Sequence, residues 1–409
     1  MSFFAGALRG DRPRDVLRRS SIIGLISFLT LIDLFGSQAL LPQLIEAYNA
    51  DPAFMGLAVN ASTFGMAVSG LTVAWFADRI DRKRGIWISL VLLSMPTFFL
   101  GVVDSVAAFM ALRVMQGIFM AAAFTLTLTY LSEQCDVTAA GGAMAAYITG
   151  NVASNLIGRI LAVSAADYLG LSGSFWTFAA LNLFGAALAY LLIGSRDSDP
   201  PERTGPPLKA WRLHLSHSSL RVSFFLGFAI LFVFVGVFTY VNLYLTEDIG
   251  LQPALLGLVY LVFLPALITT PYAARAVTRF GPQRVFQIAA LIAIVGVALT
   301  LATGMTTILT GLALIGASTF FMQAAATGFV GRTATQNRAA ANGLYLTCYY
   351  IGGLAGAFLL GWVNTIGGWT AVACVVLAVL ASMIPFARAL AHPGPVIVPR
   401  AQEKPRNLM

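Results

Sequence analysis

Twelve times along its length the chain runs for about 20 residues with almost no charge, and between runs it turns through a few polar residues. A helix of that length reaches across ~30 Å, the thickness of the hydrocarbon layer of a bilayer. Inside hydrocarbon every backbone N–H and C=O needs a partner from the chain itself, which leaves helices or a closed barrel. Barrel strands read as alternating segments of ~10 residues, and these runs are about twice that and do not alternate. The chain therefore reads as an all-α membrane protein. Composition agrees, with charged residues at 10% against about 25% in an average soluble domain.

The predicted spans are 20–43, 56–77, 85–103, 106–131, 142–165, 172–194, 220–245, 254–274, 284–303, 306–331, 341–363 and 367–388. The longest polar stretch between them, 195–219, holds Pro200, Pro201, Pro206 and Pro207 and divides the spans six and six. The expected organisation is an N-terminal six-helix bundle over 1–194, a cytoplasmic central loop over 195–219, a C-terminal bundle over 220–390 and a disordered cytoplasmic tail over 391–409. Arg12, Arg14, Arg18 and Arg19 precede the first span and no small-residue cleavage site follows it, so it reads as a span and not as a cleaved leader. Cys135, Cys348 and Cys374 make no disulfide framework.

Lysine and arginine settle the expected orientation. The N-terminus to residue 20 has five, the loop after span 2 four, the central loop through Arg221 five, the loop after span 8 three, the loop after span 10 two and the tail four. All lie on one side, and the opposite loops carry Asp51, Asp104, Glu247 and Asp248 instead. The positive-inside rule then places both termini and the central loop in the cytoplasm. It also accounts for the net charge of +8 without nucleic acid.

The halves repeat. Ala74 and Arg79 match Ala274 and Arg279, and Tyr147, Thr149 and Gly158 match Tyr345, Thr347 and Gly356. Parallel six-helix repeats are a known transporter architecture with the substrate site between the halves.

The loop after span 2 reads Ala74-Trp75-Phe76-Ala77-Asp78-Arg79-Ile80-Asp81-Arg82-Lys83. It resembles the major facilitator superfamily signature G-x-x-x-D-R-x-G-R-[RK], with Ala74 and Asp81 in place of the glycines. Arg113-Val114-Met115-Gln116-Gly117 in span 4 looks like the R-x-x-Q-G motif of the proton-coupled branches. Gly150-Asn151 and Gly158-Arg159 in span 5, Tyr349-Tyr350 in span 11 and Gly368-Trp369 before span 12 are similar to bacterial inner-membrane exporters of the drug:proton antiporter branch. The resemblance covers the whole chain. It implies twelve helices in two bundles, alternating access, a bacterial inner-membrane location and no cofactor beyond the proton gradient.

The same resemblance implies a cytoplasmic gate. Asp78 would cap helix 11, where an acid meets the positive end of a helix. Arg79 and Arg82 would meet Glu133 and Asp136 just past span 4. The second copy has Thr278 where the first has Asp78, which makes the gate asymmetric.

Three charges lie deep in spans: Asp33 in span 1, Arg113 in span 4 and Arg159 in span 5. Such charges are costly in hydrocarbon and so pair, line water or act. At 1.5 Å per residue they fall within ~7 Å of one another in depth. Asp33 with Arg113 reads as a proton-coupling pair, or alternatively as a static ion pair. Arg159 either snorkels to Asp167 or faces the cavity and receives an anionic substrate group through its planar fork. Gln38, Gln116, Asn151, Asn155, Tyr240, Asn242, Gln323, Tyr345 and Tyr349 are candidate cavity residues, or interhelical hydrogen bonds. Gly150, Ser154 and Gly158, echoed by Gly352 and Gly356, mark close helix packing.

No P-loop, metal-ligand cluster or nucleophile–base signature appears, so the chain does not read as an enzyme. The expected partners are a small molecule, protons and lipid, with the chain as a monomer. Proton-driven export of a small organic compound leads, proton-coupled uptake is its first rival, and a transport-inactive sensor or scaffold is the third reading.

Overall fold

A computed structural model describes residues 13–76, 80–134, 137–193, 207–252, 255–334 and 338–391. The elements are α1 (Pro13–Ala39), α2 (Leu41–Tyr48), α3 (Pro52–Phe76), α4 (Arg82–Phe99), α5 (Val106–Gln134), α6 (Val137–Leu192), α7 (Pro207–Ser216), α8 (Ser218–Leu243), α9 (Leu256–Val259), α10 (Leu264–Phe280), α11 (Pro282–Leu299), α12 (Met305–Thr333) and α13 (Arg338–Phe386). By length and apolarity alone nine helical stretches qualify as spans among the described residues. Two of these are folded pairs: α6 breaks at Gly170 and α13 at Gly367 and Gly368. Gly170 has φ 74° and Gly368 φ 60°, a conformation that glycine adopts without a Cβ penalty. The helix α4, with Arg82, Lys83 and Arg84 in its first turn, completes twelve crossings.

Local chemistry sets the ends. Asp81, standing where the signature has glycine, caps α4 by accepting from the Arg84 N–H at 2.7 Å. Asp51 does the same for α3 through the Phe54 N–H at 2.9 Å. Span 8 is built from α9, a 3₁₀ turn over Tyr260–Phe263 and then α10 with Pro265 in its first turn. Proline lacks a backbone N–H and suits that position. The stretch expected as a plain central loop contains α7. Pro207 starts it, and its Trp211 and His214 turn inward one turn apart, with His214 buried. Residues 194–206 and the tail beyond 391 lie outside the described residues.

The two halves are assembled alike. A Cβ added to Gly150 would lie 2.1 Å from the Gly24 carbonyl oxygen, and one on Gly158 2.6 Å from that of Ile32, so α6 rests on the backbone of α1. In the second half a Cβ on Gly352 or Gly356 would lie 2.0 or 2.3 Å from the carbonyl oxygens of Phe228 and Phe232, so α13 rests on α8. Tyr147 and Tyr345 lie at matching places in the first limbs of α6 and α13, and both are buried. Twelve crossings bring α1 and α13 back to one face of the bundle, called here the terminal face, with the far face opposite it.

Candidate functional site

Two buried polar clusters occupy the middle of the bundle, on opposite faces of α1. The first surrounds Asp33, which is fully buried. Its Oδ2 accepts from Thr97 Oγ1 of α4 at 3.1 Å, Gln116 Nε2 of α5 at 3.2 Å and Asn182 Nδ2 in the second limb of α6 at 3.1 Å. Its Oδ1 has no partner. Three neutral donors on one oxygen and none on the other leave a carboxylate on which a proton can land at Oδ1 without breaking a bond.

Arg113 shares this cluster but does not pair with Asp33 side chain to side chain. Its Nε donates to the Val59 carbonyl at 2.8 Å, and its terminal nitrogens donate to Ser62 Oγ at 3.0 Å and Gln116 Oε1 at 2.5 Å. Gln116 stands between the two charges, accepting from one and donating to the other. The alternative reading, a static ion pair, gives way to an amide-bridged cluster, in which Arg113 donates to α3 and to Gln116 and approaches only the backbone carbonyl of Asp33, at 3.5 Å. The R-x-x-Q-G spacing has a physical reason here. A Cβ on Gly117 would lie 1.8 Å from the Ser62 carbonyl oxygen, and one on Gly65 2.0 Å from that of Val114. The two glycines let α3 and α5 approach until Arg113 spans the gap. Every partner of Asp33 and Arg113 belongs to the first half, so the pair lies within that bundle and not between the halves.

The second cluster lies between the halves. Arg159 is fully buried. Its Nε donates to Asn155 Oδ1 at 2.9 Å, and its terminal nitrogens to Gln38 Oε1 at 2.5 Å and the Phe238 carbonyl of α8 at 3.2 Å. All three acceptors are neutral. Asp167 is exposed and is not among them, so Arg159 turns inward instead of snorkelling. Phe35, Phe238, Tyr260 and Phe263 surround the guanidinium, with ring centroids 4.8–5.8 Å away. Such rings attract a cation through their quadrupoles. Gln38 extends the network: its Nε2 donates to Asn60 Oδ1 at 2.7 Å and its carbonyl accepts from Asn242 Nδ2 at 3.1 Å. Asn60 Nδ2 reaches Thr239 Oγ1 at 3.3 Å, and the Tyr260 hydroxyl donates to Asn242 Oδ1 at 2.5 Å. Nearer the far face, the Tyr240 hydroxyl donates to the Ala357 carbonyl, and its ring occupies the space left by Gly56 and Gly361. The bonds from Arg159 to Phe238, from Asn242 to Gln38 and from Asn60 to Thr239 cross the halves toward the far end, and those of Tyr260 and Tyr240 brace the second half beside them.

On the terminal side of this layer lies a narrow cavity lined by Phe35, Asn151, Phe234, Phe320, Gln323 and Tyr349 among others. About 20 Å³ of it is open to the centre of a water molecule, room for one or two waters. Phe35 belongs to both the cavity and the aromatic surround of Arg159. Tyr345 stacks on Tyr349 with centroids 6.1 Å apart and fills the space beside Gly227.

Of the candidate cavity residues, Gln38, Asn155, Tyr240 and Asn242 are therefore found in the inter-half network with Arg159, Asn151, Gln323 and Tyr349 on the cavity, and Gln116 with Asp33. Thr97, Asn60, Asn182 and Tyr260 were not singled out in the sequence. Asn60 and Asn182 carried a signal, each being the lone amide of its span. Of the gate residues, Asp78, Arg79 and Asp136 lie outside the described residues, as does the side chain of Glu133. Arg82 opens α4, with a terminal nitrogen 3.2 Å from the Ile80 carbonyl. Among the described residues no group of three His, Cys, Asp or Glu side chains could hold a metal ion.

The sequence matches the family described as Major Facilitator Superfamily over residues 23–264 and again over 242–408. The chain belongs to the Major Facilitator Superfamily. Its members include the MFS-type transporter YybF of Bacillus subtilis, 26% identical over 86% of this chain and 89% of that protein. The inner membrane transport protein YnfM of Escherichia coli is 26% identical over 87% of this chain and 86% of its own length. Among solved structures, the nucleoside transporter NupG superposes with a TM-score of 0.72 at 13% identity, covering 92% of this chain and all of NupG. An inward-facing bacterial homolog of the human lysosomal transporter Spinster gives 0.69 at 15% identity over 93% of this chain and 96% of its own. These likenesses carry the superfamily fold. The chain is a secondary transporter of that superfamily and not an enzyme, and its substrate is a small molecule carried across a membrane.

Proposed function

We propose that this transporter couples the movement of a small organic compound to protons and works as an exporter by alternating access between its two bundles. The observation that carries the reading is Asp33, a fully buried carboxylate with one oxygen satisfied by three neutral donors and the other unpartnered. A buried acid of this kind is costly as a bare anion and is relieved by taking up a proton. Arg113 and Gln116 set its surroundings, and Asp33, Arg113 and Gln116 form the proposed coupling unit. The substrate is assigned to the inter-half region of Gln38, Asn151, Asn155, Arg159, Tyr240, Asn242, Gln323, Tyr345 and Tyr349. The segregation of Lys and Arg supports a cytoplasmic terminal face, in a bacterial inner membrane, with 1–194 and 220–390 as the moving units. The far end, tied by the Gln38–Asn242 and Arg159–Phe238 bonds, is then the outer gate in its closed state. Asp78, Arg79, Arg82, Glu133 and Asp136 are proposed to close the cytoplasmic side in the opposite state.

The test is Asp33→Asn in proteoliposomes with an imposed pH gradient. Gradient-driven accumulation of a transported compound should be lost, while exchange of labelled for unlabelled compound across the membrane persists. Uphill transport at the unaltered rate would remove Asp33 from coupling. Vesicles of known sidedness decide export against uptake.

A further inference from the structure

Arg159 is a full positive charge placed between the halves, and no carboxylate among the described residues pairs with it. Its acceptors are two amide oxygens and one backbone carbonyl. A buried charge of this sort is normally met by an opposite charge. Here four aromatic faces stand in for one. That surround decides against one class of ligand. An aromatic cage is a site for cations, and this cage already holds the protein's own, so a second cation entering the cavity would meet repulsion. An anion meets the reverse.

A second observation points the same way. Asn151, Asn155 and Arg159 lie at four-residue steps on the first limb of α6, and so share one helix face. Asn151 lines the cavity, and Asn155 bonds Arg159. Asn155 is fully buried, its Oδ1 taken by Arg159, while its Nδ2 donor has no acceptor. A vacant amide donor beside an acid-free guanidinium is a paired set of N–H groups waiting for oxygens. The walls beneath them are Phe35, Leu231, Phe234 and Phe320. The Phe35 and Phe234 rings, both lining the cavity, meet edge to face at 6.3 Å, and Phe35 also faces the cation, so a ligand reaching Arg159 from the cavity moves this pair.

We infer that the transported compound is an apolar monoanion, an aryl or alkyl carboxylate. Its carboxylate is received by Arg159 and Asn155 and its body by the phenylalanine walls. This rests on the transport reading above and names its substrate class. The carboxylate takes the place of Gln38 Oε1 and the Phe238 carbonyl as acceptor for the guanidinium, since a two-oxygen fork is the better match. The exchange breaks the bond by which Arg159 ties α6 to α8, so that binding the anion loosens the closed far end.

The experiment measures binding to the purified full-length protein. The ligands are a graded series of aryl and alkyl carboxylates, each with its neutral amide and its trimethylammonium counterpart. The same panel is then followed for transport in proteoliposomes. At least one carboxylate should bind tenfold or more tightly than its amide, and the ammonium compounds should bind no better than the amides. Asn155→Asp supplies an internal partner for Arg159 at unchanged side-chain size. It should unfold at the same temperature as the unaltered protein or higher, yet lose the preference for carboxylates. Arg159→Lys should lower that preference by losing the fork. Absence of any carboxylate preference across the series overturns the inference, as does an Asn155→Asp variant that keeps it. Transport of the ammonium compounds alone overturns the anion and leaves the transporter standing. Carboxylate-selective binding with no uphill transport of any compound overturns the coupled-transport reading and leaves the site standing.

Discussion

Replacing Gly117 with alanine tests whether the Arg113 cluster depends on the approach of two backbones. The added methyl would lie 1.8 Å from the Ser62 carbonyl oxygen, 2.7 Å from its carbon and 2.9 Å from the Ser62 Cα. Ordinary contact begins at 3.4 Å, and the atoms in the way are main chain, which cannot swing aside. The helices α3 and α5 must therefore part locally by about 1.6 Å, the difference between those distances. The bonds from Arg113 to Val59 and Ser62, now 2.8 and 3.0 Å, cross the same gap and would stretch past the usual range. Overpacking of this kind costs about 1–3 kcal/mol, and a hydrogen bond to a charged group contributes about 1.5–3 kcal/mol. Partial relaxation shares the strain between them, so the expected loss is about 2–4 kcal/mol. Reversible unfolding in mixed micelles, followed by circular dichroism, reads it directly. Gly331→Ala is the control, since a Cβ there meets nothing within 4 Å and alanine is the better helix former by ~1 kcal/mol. A Gly117→Ala protein within about 0.5 kcal/mol of the parent, the range of an inert surface change, would refute the reasoning.

Asp81→Ala should cost about 0.5–2 kcal/mol through loss of the α4 cap, whereas Asp81→Gly should cost only a few tenths; equal losses in the same unfolding assay would count against the cap. Tyr260→Phe removes the 2.5 Å bond that orients the Asn242 amide, whose Nδ2 carries the inter-half bond to the Gln38 backbone carbonyl, and should favour far-end-open states by about 1–3 kcal/mol. Spin labels at the exposed positions Asp51 and Glu247 should then report longer separations, and an unchanged distribution would show that the orientation of Asn242 does not hold the far end closed.

Depth was legible in the sequence and direction was not. Each helical residue advances 1.5 Å whatever surrounds it, so the level of Asp33, Arg113 and Arg159 follows from counting. The direction a side chain takes turns by ~100° per residue, and in a chain apolar all round nothing marks which side faces the partner half. Hence Asp33 and Arg159, read as one layer, belong to two clusters on opposite faces of α1. Span limits and the glycine seams were readable because hydrophobic length and small-residue spacing are local properties. Asn60 and Asn182 stood out only as lone amides, and Tyr260 carried no mark, since its place comes from the 3₁₀ turn ahead of Pro265. The helix α7 escaped notice because prolines dominate its flank, although Pro207 is a helix starter.

Asp33 and Gln38 are five residues apart on α1, which is continuous between them. Five helical steps turn by about 140° and advance by about 7.5 Å, so the two side chains project from nearly opposite sides of a stiff rod. The rod rests on α6 at Gly150 and Gly158, where the nearest atoms are the Gly24 and Ile32 carbonyl oxygens, and the Phe178 ring of α6 fits beside its Gly36. When such a shaft rolls, its opposite sides travel in opposite directions. A roll that draws Asp33 toward Thr97 and Asn182 carries Gln38 away from them by a similar arc. Two sites that share no atom and no bond are in this way geared together by the axle between them.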